Sequence, residues 1–347
     1  MPSHPRPPSM KDVAAAAGVH QTTVSLALRN DTRLSEKTRS RIQRIAREMN
    51  YRPHPLVSAL ISLRRSRKER RFHDTIAFVV GARHPGSPYE QYLAGARSVA
   101  EEYGYKVDLF ALGAGDLSEQ RLNSILRARN VHGLIVGPLP QARGDFSLDW
   151  DRYCTVVIEY TFTGPPFDRL VHDHYAGMRR IMVECRLRKI RRVGLFLSTN
   201  GHERTEQLNG AAYWVEQKHD TFFAAIPPLI LPAWHPASLA SWCRRYRPDA
   251  IVTSRLYLDL VQEWVDQRGA ATMQFFNVNA APEGAVAGIC QNPFVLGGTA
   301  ARLVIAKMIR NDRGIPANPH TTITRGTWLE GSPSLSAPGP RPMPGSP

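Results

Sequence analysis

A short stretch near the N-terminus carries side chains that can hydrogen-bond or make small apolar contacts. These side chains belong to His20, Gln21, Thr22, Thr23, Ser25 and Leu26. Hydroxyl and amide groups of this size reach base edges in the DNA major groove, and an apolar side chain contacts a thymine methyl group. The same residues also fit a plainer interpretation, in which they form the solvated polar face of a helical hairpin.

The surrounding residues predict three short helices that hold this face outward. Gly18 lies between a first helix at 10–16 and a second at 20–28, and glycine takes the positive φ of a tight turn without a Cβ penalty. Ser35 predicts the N-cap of a third helix. The shared core that we expect consists of Val13, Ala17, Val19, Val24, Leu28, Leu34, Ile42 and Ile45. Two helices joined by such a turn are typical of a helix-turn-helix unit.

The charge of the N-terminal quarter separates the two interpretations. Residues 1–75 hold 16 Lys and Arg but only 6 Asp and Glu, and so carry ten of the chain's net charge of +15. A positive field this concentrated attracts polyanions and weakens as salt is added. Together with the helix-turn-helix spacing, it favours DNA binding over a merely solvated basic face.

An apolar segment follows the three helices. Pro53 and Pro55 stop the third helix, and Pro55 is compatible with the first turn of a new one. The new helix would be apolar on almost every side, through Leu56, Val57, Ala59, Leu60, Ile61 and Leu63. A helix this short needs a partner, and a second copy of the chain in a widened minor groove supplies one. Burial in its own domain is the alternative, and the basic run at 64–71 argues against it.

Three segments then fall in register with a known family: KDVAAAAGVHQTTVSLALRND, LSEKTRSRI and MNYRPHPLVSAL. This part resembles the headpiece of the LacI/GalR-type bacterial transcriptional regulators. The resemblance implies that the second helix reads an operator half-site as part of a dimer, and that a hinge helix enters the minor groove. The contacts it implies are to bases or phosphates for Gln21, Thr22 and Ser25, packing or phosphate for Thr23, phosphate for Arg33 and Lys37, and a hinge wedge for Leu60.

Two headpiece residues depart from the family pattern. His20 stands where a serine cap is usual, and Leu26 stands where a base-reading arginine is common. An operator preference is therefore not transferable from other members to this chain.

Beyond Thr75, apolar runs alternate with amphipathic segments, which predicts parallel sheets covered by helices on both faces. We expect strands at 75–80, 105–112, 132–139, 154–160, 192–198, 249–254 and 273–278, separated by helices at 85–103, 118–129, 173–187, 203–218, 256–268 and 293–311. Two halves that split near 161 and rejoin near 290 would form a doubly wound, two-lobed, periplasmic-binding-protein-like fold. The segment 172–198 and the later PDAIVTS and GICQNPFVLGGTAARLVIAKMI resemble the sensor domain of the same family, more loosely than the headpiece does.

The expected organisation is an all-α helix-turn-helix headpiece followed by an α/β sensor domain. Its parts are a disordered N-terminus at 1–9, the DNA-binding domain at 10–54, the hinge helix and basic linker at 55–74, the two-lobed effector-binding and dimerisation domain at 75–330, and a disordered tail at 331–347.

A ligand of such a fold binds between the lobes, from loops at the carboxyl ends of the strands. The candidate residues are Tyr89, Tyr92, Tyr160, His174, Arg204, Gln207 and Asn279. Tyrosine rings stack on a sugar or another planar ligand, and amides fix its hydroxyl groups. Sugar-binding members usually carry an arginine in an Arg-x-x-Gly step, which here begins at Gln207, and other charged groups are replaced as well. Either the effector is chemically different, or the cleft no longer binds one.

Enzyme chemistry finds little support in the sequence. The chain has no Gly-x-Ser-x-Gly elbow, no P-loop and no complete dinucleotide fingerprint, so we expect neither catalysis nor a cofactor. His172 and His174 flank Asp173 as in some metal sites, but a loop entering a helix with Asp173 or a neighbour as its cap explains the motif better. The four cysteines are far apart, as free thiols of a reducing compartment are.

These observations predict a sequence-specific regulator that binds palindromic double-stranded DNA as a homodimer. Repression is expected rather than activation, because blocking polymerase needs no further partner surface. The absence of a signal core or a long apolar run predicts a cytoplasmic protein without membrane contact. The family resemblance implies that this protein is bacterial and nucleoid-associated. The alternative is an architectural or effector-independent DNA-binding protein with a vestigial ligand cleft.

Overall fold

The computed structural model describes residues 8, 10–28, 33–49, 51, 74–81, 89–113, 117–267, 273–282, 284 and 286–331. The predicted hinge helix with Leu60, the basic linker and nearly all of the two predicted terminal segments lie outside the described residues.

The chain begins with three helices and continues with strands and helices that alternate. The helices are α1 Met10–Ala17, α2 Gln21–Leu28, α3 Glu36–Glu48, α4 Tyr89–Glu102, α5 Glu119–Ala128, α6 His174–Leu187, α7 Thr199–Glu203, α8 Leu208–His219, α9 Pro236–Tyr246, α10 Arg255–Asp266 and α11 Pro293–Arg310. The strands are β1 Asp74–Val80, β2 Tyr105–Ala111, β3 Gly133–Val136, β4 Cys154–Ile158, β5 Asp168–His172, β6 Val193–Ser198, β7 Leu229–Leu231, β8 Ala250–Thr253, β9 Gln274–Asn277, β10 Gly288–Cys290, β11 Thr321–Thr324 and β12 Thr327–Leu329.

The first three helices form a small headpiece around one apolar core. All eight core residues predicted from the sequence belong to it, and Ala14, Ala27 and Ala46 are buried with them. Gly18 adopts the expected positive φ of 63° between α1 and α2. Ser35 caps α3 as predicted, because its Oγ accepts the Thr38 N–H at 3.3 Å.

The rest of the chain forms two lobes, each built on a six-stranded sheet. The first sheet has the order β11-β5-β4-β3-β1-β2, and all of its strand pairs are parallel. The second has the order β12-β10-β9-β8-β6-β7, in which β12 is antiparallel to β10. Mostly apolar strands of three to seven residues with helices between them produce such sheets, as the sequence pattern predicted.

The chain crosses between the lobes three times. It leaves the first sheet after β5, returns after β10 and leaves again between β11 and β12. The crossover predicted near 290 is therefore present, whereas the split predicted near 161 is wrong. The first lobe extends to residue 172, because β5 adds a strand beside β4. Its short sequence, DRLVH, has two charged residues at its start and a histidine at its end, and does not show an apolar run.

The helix predicted at 203–218 corresponds to α8, which begins only at Leu208, because a separate short helix, α7, ends at Glu203. Glu206 and Gln207 adopt positive φ values of 49° and 59°, which end the first turn of helix and redirect the chain into α8. A left-handed conformation costs about 1 kcal/mol or more for a residue with a Cβ. Helix α7 directly follows β6 and so lies at the carboxyl end of that strand, beside the first lobe.

Candidate DNA-binding surface and inter-lobe cleft

The polar face predicted for α2 is exposed in the headpiece. His20, Gln21 and Thr22 are exposed, whereas Thr23 and Leu26 are half-buried beside the core residues of the same helix. The side chain of Ser25 lies outside the described part of the chain. Five of the six predicted contact residues therefore lie at or next to a surface that the small core holds in place.

His20 takes over the capping role that serine has in the family pattern. Its Nδ1 lies 3.0 Å from the Thr22 hydroxyl and accepts the Thr22 backbone N–H at 3.4 Å. A side chain that accepts a first-turn N–H satisfies a donor that the helix itself leaves unpaired. The departure at this position is thus structurally conservative, and it fixes the hydroxyl of Thr22 next to the imidazole.

Helix α3 sets the position of α2 and adds positive charge. The Gln43 side-chain amide donates to the Ala27 carbonyl at 2.8 Å, near the end of α2. Arg39 donates to the Leu34 carbonyl at 2.9 Å and holds the segment before α3. Arg33 and Lys37, the predicted phosphate contacts, are both exposed.

A buried carboxylate forms the centre of the cleft on the first lobe. Glu159 directly follows β4, is 7% exposed and adopts a positive φ of 62°. Its Oε1 accepts the His172 backbone N–H at 3.2 Å, and its Oε2 lies 3.1 Å from His174 Nε2. Burial by itself raises the pKa of Glu159, but the hydrogen bonds and charge of His174 and His172 outweigh it and hold that pKa below its ordinary value.

Two of the predicted tyrosines lie near Glu159. Tyr92 is buried on α4, where burial and then the Glu159 carboxylate raise the pKa of its hydroxyl well above the ordinary value. Tyr160 is half-buried, and its ring centre lies 6.3 Å from that of His174. The Arg169 guanidinium lies 6.0 Å from the centre of the Tyr160 ring.

The second lobe contributes Arg204 to this region. Its Nη2 donates to the Leu139 carbonyl of the first lobe at 3.1 Å. Burial lowers the pKa of Arg204, and the interactions with Tyr92 and Glu159 oppose that effect. Arg204 is therefore within electrostatic range of the buried carboxylate.

Three other predicted cleft residues have different surroundings. Tyr89 lines a surface depression of about 730 Å³ between α4 and β2, with Arg97 and Asp108 on its wall. Gln207 is exposed at the start of α8. Asn279 lies just beyond the carboxyl end of β9, where its Oδ1 accepts the Arg255 N–H at 2.7 Å and holds the start of α10. The structure thus brings Tyr92, Tyr160, His174 and Arg204 together, but not these three.

The motif at 172–174 is the entry into a helix. Asp173 Oδ1 accepts the Ala176 N–H at 2.9 Å, so Asp173 caps α6 as predicted. His172 is 1% exposed, and burial lowers its pKa from 6.5 to about 4. Within the described residues, no group of three or more His, Cys, Asp and Glu could hold a metal ion.

Sequence reasoning missed Glu159, the residue to which the other cleft groups connect. It lies within the strand predicted at 154–160, directly after five residues of which four are apolar. An acid placed directly after a fully buried strand was the available signal, because the carboxyl ends of parallel strands line the cleft of such folds.

The chain combines a helical headpiece with two lobes of mainly parallel sheet, which is the architecture that the family resemblance implied. Comparison with known proteins agrees with this architecture. Residues 9–54 match the family described as "Bacterial regulatory proteins, lacI family". The regulator MalR of Streptococcus pneumoniae serotype 4 is 29% identical over 136 residues, covering 37% of this chain and 38% of MalR. DegA of Bacillus subtilis is 32% identical over 125 residues, covering 36% of this chain and 34% of DegA. The alignments thus span well under half the length of these curated relatives.

Solved structures of the same fold match along nearly the whole chain. A CelR–cellobiose complex superposes with a TM-score of 0.56 at 17% identity, covering 94% of this chain and 100% of that one. The Lac repressor dimer bound to operator and an anti-inducer superposes with a TM-score of 0.55 at 15% identity, covering 95% and 100%. Residues 9–54 are thus similar to the lacI family of bacterial regulatory proteins, and the chain shares the fold of these two solved regulator structures. No helix among the described residues is long and apolar enough to cross a membrane.

Proposed function

We propose that this protein is a transcriptional repressor that binds a palindromic operator as a homodimer in the bacterial cytoplasm. The observation that carries the proposal is the exposed face of α2 within a segment that matches the LacI family. Gln21 and Thr22 offer amide and hydroxyl groups of the kind that read base edges. His20 and Gln43 fix the helix that presents them.

Dimerisation follows from the size of the headpiece. One short helix in the major groove contacts only a few base pairs, and proteins of this type gain specificity by pairing two half-sites about one helical turn apart. The two lobes would set the spacing of the headpieces, and a neighbouring structure is a repressor dimer on its operator. A second copy would also supply the partner that the apolar hinge segment needs.

Effector control is the second part of the proposal. The cleft holds a buried carboxylate, two tyrosines and an arginine, which are groups that orient a polar ligand. Since the CelR neighbour was solved with cellobiose, a sugar or sugar derivative is the first class to examine. Such a ligand shifts DNA affinity only by its differential affinity for the two lobe arrangements.

An effector-independent, architectural DNA-binding protein is the competing candidate. The neutral and exposed Gln207, where sugar-binding members carry arginine, favours it. The two candidates differ in the sequence preference that they predict.

Selection of sites from random DNA with the purified full chain separates the two candidates. The selected palindrome is then titrated with salt, in competition with a scrambled sequence of equal length. A regulator prefers the palindrome by a thousandfold or so at physiological salt. Equal affinity for the scrambled competitor would refute the proposed function.

A further inference from the structure

Among the described residues, three polar contacts join the loop at 139–143 of the first lobe to the segment 200–206 of the second. Arg204 Nη2 donates to the Leu139 carbonyl at 3.1 Å, and Asn200 Nδ2 lies 3.5 Å from the Pro140 carbonyl. Arg143 lies 3.8 Å from Glu206 as an exposed ion pair. Exposed pairs contribute little, whereas a hydrogen bond from a charged, half-buried donor is among the stronger ones.

The acceptor in the first lobe is held firmly. The Leu139 N–H donates to the buried hydroxyl of Thr161 at 2.8 Å. Gly144, at the other end of the same loop, donates its N–H to the Thr161 carbonyl at 2.9 Å. The carbonyl of Leu139 therefore occupies a fixed position relative to the first sheet.

The donor in the second lobe is held equally well. Ser198 caps α7 by accepting the Gly201 N–H at 3.0 Å, and the Arg204 N–H donates to the Asn200 carbonyl at 3.0 Å. The left-handed residues Glu206 and Gln207 then turn the chain, so that Arg204 ends α7 at the edge of the cleft. Two rigid attachments on opposite lobes make the bond sensitive to lobe position.

The Arg204 guanidinium also lies within electrostatic range of a buried carboxylate. Glu159 accepts the His172 backbone N–H within its own lobe and lies 3.1 Å from His174, which begins α6 of the second lobe. Arg204, also on the second lobe, reaches the same carboxylate electrostatically. A neutral sugar would supply no positive charge in exchange for Arg204. The guanidinium thus contributes to closure through a hydrogen bond and through charge.

We propose that Arg204 is an internal latch that holds the two lobes closed without a small molecule. A ligand of the cleft then acts by displacing Arg204 from Leu139 instead of by pulling the lobes together. The consequence for DNA binding rests on the proposed function: the unliganded protein would already have one defined headpiece spacing.

Hydrogen exchange of the full-length protein tests the latch. The amides of 137–144 and 199–208 are followed in Arg204→Ala and in the matched control Arg244→Ala, an exposed arginine on α9. Loss of a charge-assisted bond is expected to lower the closed-to-open ratio about tenfold or more, and exchange in both segments rises accordingly. Small-angle scattering of the same samples should report a larger radius of gyration for Arg204→Ala only.

A second variant and a rescue keep the test decisive. Arg204→Lys retains the charge but not the planar donor group, so we expect exchange to increase less than in Arg204→Ala. This variant keeps the test interpretable if Arg204→Ala folds poorly. Millimolar guanidinium should partly restore protection in Arg204→Ala, which a general packing defect would not allow. Unchanged exchange in both Arg204 variants would overturn the latch. If the wild-type protein shows the expected protection from exchange but no preference for the palindrome over scrambled DNA, that result would contradict the proposed function alone.

Discussion

The buried imidazole of His172 makes the stability of the protein depend on pH between 7 and 5. Burial lowers its pKa from 6.5 to about 4 in the folded protein. Between these values the unfolded chain binds a proton at this residue and the folded chain does not, so unfolding becomes more favourable as the pH falls. The stability contribution is present above pH 6.5, is lost as the pH falls towards 4, and is constant below that.

The size of the effect follows from the shift. One pKa unit corresponds to about 1.4 kcal/mol, so the whole window is worth about 3 kcal/mol. By pH 5 the loss relative to pH 7 is about 2 kcal/mol, because most of the unfolded chains, but few of the folded ones, are protonated at His172. His172→Gln removes the titrating group, whereas Glu159 keeps its bond to the backbone N–H at that position.

Urea unfolding at pH 7 and pH 5, followed by circular dichroism, measures this contribution. The free energy of unfolding of the wild-type protein should fall by about 2 kcal/mol more than that of His172→Gln. His219→Gln, at the exposed end of α8, serves as the control and should behave as wild type. Equal pH dependence in wild type and His172→Gln would refute the reasoning.

Four further substitutions have defined expected outcomes. Gly326→Ala places a Cβ 2.6 Å from His172 Cε1 and 2.7 Å from the Cys290 carbonyl oxygen. Thermal unfolding should therefore show that the free energy of unfolding falls by about 1–3 kcal/mol. An unchanged unfolding midpoint would contradict this packing. Asp168→Asn removes the charge that lies 2.6 Å from the buried Lys307 and leaves Asp312 as the remaining acidic partner of that lysine. Urea unfolding should show that the free energy of unfolding falls by about 3 kcal/mol. Lys37→Ala should lower the slope of log affinity against log salt by about one, and an identical slope would remove Lys37 from the phosphate contacts. Leu60→Ala, in the hinge segment outside the described residues, should weaken operator binding more than binding to scrambled DNA; equal weakening would refute the wedge role.

The headpiece was predictable because its determinants are local. Gly18, Ser35 and the apolar positions of the three helices act within a few residues of one another, and each has the predicted conformation or burial. His20 was noticed as a departure, but its role as a cap depends on an imidazole orientation that the sequence does not specify.

Periodicity predicted seven strands and most of the longer helices of the lobes. It did not predict the cleft, the helices α7 and α9, or the strands β5, β7, β10, β11 and β12. Glu159 meets His172 and His174 because β5 pairs beside β4, and Arg204 meets Leu139 because two lobes pack together. Strand order and lobe packing depend on contacts distant in sequence, which apolar alternation does not encode. The error at 161 has the same origin, since the polar ends of β5 hide its place in the first sheet.

The most direct test of the account compares the specificity of the wild-type protein with that of Gln21→Ala. The affinities of both for the selected palindrome and for scrambled DNA are measured at one physiological salt concentration. If α2 reads bases, Gln21→Ala should lose about 1–3 kcal/mol of discrimination per half-site while its affinity for scrambled DNA stays the same. An unchanged ratio of specific to scrambled affinity would contradict the claim that this surface recognises an operator.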